Sequence, residues 1–210
     1  TKRDGSIDAH EIEKTIKPDD PHCPISKLLS LENTVSGKTQ DLNNIDACAK
    51  SARKYGLSTH MDGARLMNAS VKLSVPVKTI VKNMDSVSLC LSKGLGAPAG
   101  SILAGSKDLI KKAYRIRKLV GGGMRQAGII ASAGIYALEN NVQRLDCDHQ
   151  NASLLAQKLH NIREINVIPE HVDTNMVFMT IPKKSISKIQ TFCLNNGILI
   201  NADSETVRLV

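Results

Sequence analysis

Tryptophan is absent from this 210-residue chain, and aromatic residues of all kinds make up only 2%. A core must therefore be assembled from aliphatic side chains; the hydrophobic content of 41% is ordinary for a globular protein. No apolar run approaches the roughly 20 residues that cross a bilayer, so no membrane segment is expected. No secretory leader is visible, and the first residue is not Met. The five cysteines, at 23, 48, 90, 147 and 193, are scattered and odd in number, with no CxxC pair and no metal-ligand spacing. That pattern suits a reducing compartment and predicts a cytoplasmic protein with no metal site, Cys90 being a small core residue.

Acidic residues are also in deficit: 20 Asp and Glu face 28 Lys and Arg, a net charge of +8. A basic balance admits nucleic acid, anionic lipid or small anionic ligands. The densest positive run is Lys107 to Arg125. Lys107, Lys111 and Arg115 recur at helical spacing and describe a solvated helix face. Nucleic acid would also require aromatic stacking platforms, and only Tyr114 is nearby, so no nucleic-acid partner is expected. Lys118 and Arg125 differ, because they flank Gly121-Gly-Gly-Met124, and glycines with adjacent cations can form an anion nest.

What is present is organised around Asp85 to Ser101. Val87, Leu89 and Leu91 alternate with Ser88 and Cys90, the pattern of a strand, here expected to be buried. Ser92-Lys93 follows, and then Gly94, Gly96 and Gly100. Burial of a lysine at such a strand end would favour the neutral amine, the nucleophile that forms Schiff bases with carbonyl compounds such as pyridoxal phosphate. Leu57 to Asn68 also reads as a strand running into a charged turn. Its Asp62 precedes Lys93 by about thirty residues, roughly the length of one βα unit. Two successive parallel strands would place Asp62 and Lys93 at one carboxyl edge, where open α/β sheets bind ligands. A Schiff-base lysine with an aspartate for the pyridinium nitrogen meets the electrostatic needs of pyridoxal phosphate chemistry. Arg65, three residues after Asp62, offers a planar fork for a carboxylate.

Three stretches, His60-Met-Asp-Gly-Ala-Arg-Leu-Met-Asn-Ala69, Leu91-Ser-Lys-Gly-Leu-Gly-Ala-Pro-Ala-Gly-Ser101 and Arg117-Lys-Leu-Val-Gly-Gly-Gly-Met-Arg-Gln-Ala127, resemble the low-specificity L-threonine aldolases. These belong to the aspartate-aminotransferase-like, fold-type I pyridoxal phosphate enzymes, and the resemblance runs over nearly the whole chain. It implies cleavage of L-threonine or L-allo-threonine to glycine and acetaldehyde, with Lys93 carrying the cofactor and Asp62 on its ring nitrogen. It implies carboxylate-binding roles for Arg65 and Arg208, and a place for His22 near the substrate β-hydroxyl. It puts Lys118 and Arg125 near the cofactor phosphate or substrate, partly across a subunit boundary, in a homo-oligomer (a tetramer by resemblance) with shared active sites. Glu32-Asn33-Thr34 matches the family, whereas Val35-Ser-Gly-Lys38 departs from its usual His and longer glycine-rich turn. The family's members continue at both ends, so this chain is expected to be a fragment lacking a phosphate-binding glycine loop and a cofactor-stacking histidine.

The expected fold is α/β: a mostly parallel sheet with helices on both faces over residues 1–146, followed by a smaller α+β lobe over 147–210. Ser6 or Asp8 is expected to cap a helix with Ile12 buried, and Asp41 one ending at Tyr55. Ser106 is expected to cap another, and Ala127 to Leu138 to be a buried helix. A long polar helix is expected over Asn141 to His160, and short strands at 166–168, 175–180, 198–200 and 206–210. Three other readings stay open. One is a different fold-type I lyase performing β-elimination, another an incomplete fragment acting only as a binding or regulatory protein, and the third an anion or nucleic-acid binder.

Overall fold

Side-chain caps decide where the early helices begin. The computed structural model describes residue 2 and residues 4–210. Asp8 accepts the His10 amide and opens α1 (Ala9–Thr15). Asp41 does the same for the Asn43 amide and opens α2 (Leu42–Lys54), which buries Ile45, Cys48, Ala49 and Ala52. Such a cap satisfies a backbone donor that the helix itself cannot. The strands β1 (Leu28–Glu32), β2 (Ser58–Asp62) and β3 (Ser86–Cys90) are separated by α2 and then by α3 (Leu66–Leu73) and α4 (Val77–Ile80). A fourth strand, β4 (Ser101–Gly105), leads through the Ser106 cap into α5 (Lys107–Leu119), with α6 (Gly128–Asn140) after the glycine loop.

The sheet order is β1-β2-β3-β4. The first three strands are parallel and β4 is antiparallel at the edge. Leu29, Leu31 and Met61 face a core shared with Ile12, Ile45, Leu66 and Ile80. Burying each of these large side chains contributes about 1.5–3 kcal/mol, which makes this layer the main stabilising term of the unit. The opposite face is polar: Ser30 pairs in register with His60, and His60 with Ser86. His60 Nδ1 lies 2.8 Å from the Ser86 hydroxyl. On that side α5 runs past β4, leaving a cleft of about 520 Å³ lined by Ser86, Leu103, Leu109 and Ile116.

Two compact units are present. The first runs to Val35 and resumes from Thr39 to Leu145; the second holds Ser36–Lys38 and Asp146–Val210. In the second unit, α7 (Leu145–His160), β5 (Val177–Thr180), α8 (Ile186–Asn195) and β6 (Thr206–Leu209) surround Ala156, Val167, Val177, Ile181 and Val207. The strands β5 and β6 pair antiparallel.

Several expectations need correction. The β3 strand is half-buried along its whole length rather than buried, because its polar face is only partly covered, and Cys90 is likewise half-buried. The α6 helix buries Gly134 and Ala137 while Ile129, Ile135 and Tyr136 stand exposed, since its apolar residues surround the helix and this chain covers one side. The long polar helix begins at Leu145, not Asn141, because residues 141–144 form a turn. Residues 198–200 form no strand, and Asn166 makes a single bridge to Thr180.

Candidate active site at the carboxyl ends of the parallel strands

The register brings the first two acids together. Glu32 pairs with Asp62, each the last residue of its strand, and Asp62 pairs with Ser88. Alternation sets both acids on the solvent face, since Leu31 and Met61 before them are buried. Asp62 Oδ1 accepts the Ala64 amide at 3.0 Å, which fixes the carboxyl over the turn. At that turn the Gly63 amide donates to the Ser88 carbonyl at 2.8 Å. A Cβ on Gly63 would lie 2.6 Å from that same oxygen, so only glycine permits β2 to end this close to β3.

Lys93 follows β3 by three residues, at the tip of a closed loop. The Leu91 amide donates to the Gly100 carbonyl and the Ala97 amide to the Leu91 carbonyl, both at 3.0 Å. The Gly96 amide returns to the Lys93 carbonyl at 2.8 Å, with Gly96 at φ +75°, a conformation that glycine adopts without penalty. Buried Leu91, Leu95 and Ala97 pin the loop against Ala137 and Leu145. The backbone of Lys93 is thus held while its side chain is exposed, which corrects the expected burial: none of the described residues covers it. Arg65, half-buried, stands at the start of α3.

Electrostatics ties four of these residues into one cluster. Packing of protein around the Glu32 carboxyl pushes its pKa up, Asp62 pushes it further, and Lys93 and Arg65 oppose the rise. Immediately beyond Glu32, Asn33 and Thr34 are buried, and Asn33 Nδ2 and Thr34 Oγ1 have no hydrogen-bond partner among the described residues. Buried polar atoms without partners are rare, and at a strand end they fit a site that receives a polar group. Sequence reasoning noted this tripeptide without giving it a task. The signal was available, because Glu32 precedes Asp62 by the same interval of about thirty residues that separates Asp62 from Lys93.

The other candidates lie on other elements. His22 lies in the loop entering the amino end of β1, with its ring exposed and Nδ1 2.9 Å from Asp20. Lys118 is in the last turn of α5 and Arg125 follows the glycine loop; both side chains are exposed. The Gly121 amide donates to the Lys118 carbonyl and the Gly122 amide to the Arg117 carbonyl, so the glycines fold back on the helix end. Arg208 is exposed on β6 of the second unit, paired in register with Phe178. Among the described residues no His, Cys, Asp and Glu side chains group as metal ligands, and no helix is long and apolar enough to cross a membrane.

The family description "Beta-eliminating lyase" matches residues 1–203. The low specificity L-threonine aldolase of Escherichia coli K12 is 45% identical over 207 residues, 99% of this chain and 61% of that protein. The probable low-specificity L-threonine aldolase 2 of Arabidopsis thaliana is 45% identical over 187 residues, 87% of this chain and 53% of that protein. The chain therefore spans roughly three-fifths of the length of such relatives or less. Among solved structures, a putative aromatic amino acid β-eliminating lyase/threonine aldolase from Exiguobacterium sp. 255-15 superposes with a TM-score of 0.77 at 22% identity, covering 100% of this chain and 60% of that one. A putative L-allo-threonine aldolase from Listeria monocytogenes gives 0.76 at 21%, covering 100% and 59%. These two likenesses establish the shared fold.

Proposed function

Because the chain belongs to the β-eliminating lyase family, we propose that the polypeptide containing it is a pyridoxal phosphate-dependent aldolase that cleaves L-threonine or L-allo-threonine to glycine and acetaldehyde. The observation that carries this reading is the parallel register that sets Asp62 at the end of β2 and the Lys93 loop after the neighbouring β3. An amine on a rigid loop, a carboxylate one strand away and unpartnered buried donors beside them make a donor set that fits the cofactor. When bound, pyridoxal phosphate takes up the electron pair left on the substrate α-carbon as the Cα–Cβ bond breaks.

Each residue has a separate task. The Lys93 amine holds the cofactor covalently. Asp62 supplies the negative charge beside the cofactor's ring nitrogen, steadied by the Ala64 amide. Arg65 and Arg208 bind the substrate carboxylate, a planar fork suiting two oxygens. His22 accepts the proton of the β-hydroxyl, so that the oxygen's electrons form the aldehyde carbonyl. Lys118 and Arg125 reach the phosphate or substrate of a neighbouring subunit in a cytoplasmic homo-oligomer. The exposure of Lys93 among the described residues supports a site completed by more protein.

The test is Lys93→Ala in the full-length polypeptide. Its exposed side chain can be removed without disturbing the fold, and glycine and acetaldehyde formation should fall by at least about a thousandfold. Full cleavage by the variant would reject the assignment. Product analysis with threonine, cysteine and aromatic amino acids separates aldol cleavage from β-elimination.

A further inference from the structure

Glu32 is a charged group at the strand ends that the aldolase reading leaves without a task. Parallel pairing sets it directly beside Asp62 and on the same face of the sheet. The charges acting on it are Asp62 at the end of β2, Lys93 after β3 and Arg65 before α3. On its other flank it borders a small cavity of about 250 Å³ shared with Ser30, Gln40 and Asn44, none of which titrates. It is therefore an acid within electrostatic reach of both cations of the site.

Charge matching then assigns it a ligand group. With Asp62 facing a ring nitrogen and Arg65 a substrate carboxylate, the amino acid still brings one full charge, its ammonium. That nitrogen must approach Lys93, and beside Lys93 and Arg65 it would meet two like charges. Glu32, one strand beyond Asp62 and within electrostatic reach of both cations, supplies a carboxylate that offsets that repulsion. We propose that Glu32 receives the ammonium group of the incoming amino acid and is a substrate-positioning residue of this site. The proposal rests on the aldolase reading above, and it concerns binding before any bond changes.

The experiment compares two ligands on the full-length polypeptide. L-Threonine carries the ammonium; 3-hydroxybutanoate keeps the carboxylate and hydroxyl but has no nitrogen. Glu32→Gln should raise the KM for threonine about tenfold, the scale of one lost charge-assisted hydrogen bond, with kcat within about threefold. Calorimetry on the cofactor-free polypeptide should show the same loss in threonine affinity, while 3-hydroxybutanoate changes less than about twofold. Glu32→Asp, which keeps the charge, should recover part of the threonine binding. Equal weakening of both ligands, or of neither, overturns the proposal. A wild-type polypeptide that does not cleave threonine overturns the aldolase reading itself, and this inference with it.

Discussion

At the ends of β2 and β3, short backbone hydrogen bonds hold the turn after Asp62 and the loop that carries Lys93: Gly63 to Ser88, Gly96 to Lys93, Leu91 to Gly100. In α5 and α6 the chain makes the opposite arrangement. Leu119 is 85% exposed and Ile129 77%, with Val120, Met124 and Tyr136 also in solvent. These apolar side chains are what the proposed homo-oligomer would cover. The first region is specified by the chain's own backbone, and the second by whatever covers it. The cations Lys118 and Arg125 belong to the second region, which is why their place in a site has to be tested through assembly.

The largest effect should come from the self-contained region. Asp62→Asn keeps the shape and the Ala64 contact but removes the charge. In the full-length polypeptide, kcat should fall about a hundredfold or more while cofactor still attaches at Lys93. An unchanged kcat would make Asp62 structural and remove the contrast between the regions. Arg125→Ala should also be nearly inactive, but for a different reason. Mixed with Lys93→Ala subunits, it should regain up to about a quarter of wild-type activity if pairs form at random and Arg125 acts across the boundary. No recovery after proven subunit exchange would return Arg125 to its own subunit.

Smaller effects probe how tightly the strand ends are built. Gly63→Ala would push a methyl group against the Ser88 carbonyl. We expect a loss of about 1–3 kcal/mol in denaturant unfolding, with activity falling alongside as Asp62 shifts. The mildest change is Glu32→Gln. The Glu32 carboxyl is held above its ordinary value, so the folded state favours its protonated form. That contribution is complete below the ordinary carboxylate range and is lost as pH rises through the raised value. In the cofactor-free polypeptide, Glu32→Gln should therefore melt higher than wild type at neutral pH, by no more than about 2–4 °C, and alike at acid pH. A lower melting point at neutral pH would reverse the sign assigned to this carboxyl.

Much of the architecture was legible because it is local. Asp41 and Ser106 cap the helices they were expected to cap, and of the two caps open for the first helix, Ser6 and Asp8, it is Asp8 that serves. The even spacing of Asp62 and Lys93 foretold parallel strands, because a βα unit has a nearly fixed length. What misled was apolarity read without its partner. The Ile- and Ala-rich stretch of α6 looked buried, yet burial depends on surfaces outside the stretch, and here only Gly134 and Ala137 have them. Lys93 was expected to be buried for the same reason. Glu32 was matched to the family but given no task, because a lone acid at a strand end names no chemistry by itself; its spacing from Asp62 was the available signal, and the register sets the two side by side.

The central claim is that Lys93, held over the edge that carries Asp62, is the residue to which the cofactor binds. The most direct measurement is borohydride reduction of the full-length polypeptide with pyridoxal phosphate, followed by peptide mapping by mass spectrometry. The account predicts loss of the visible absorbance band and a pyridoxyl group on the peptide containing Lys93. A label on another lysine, such as Lys118, with Lys93 unmodified would contradict it.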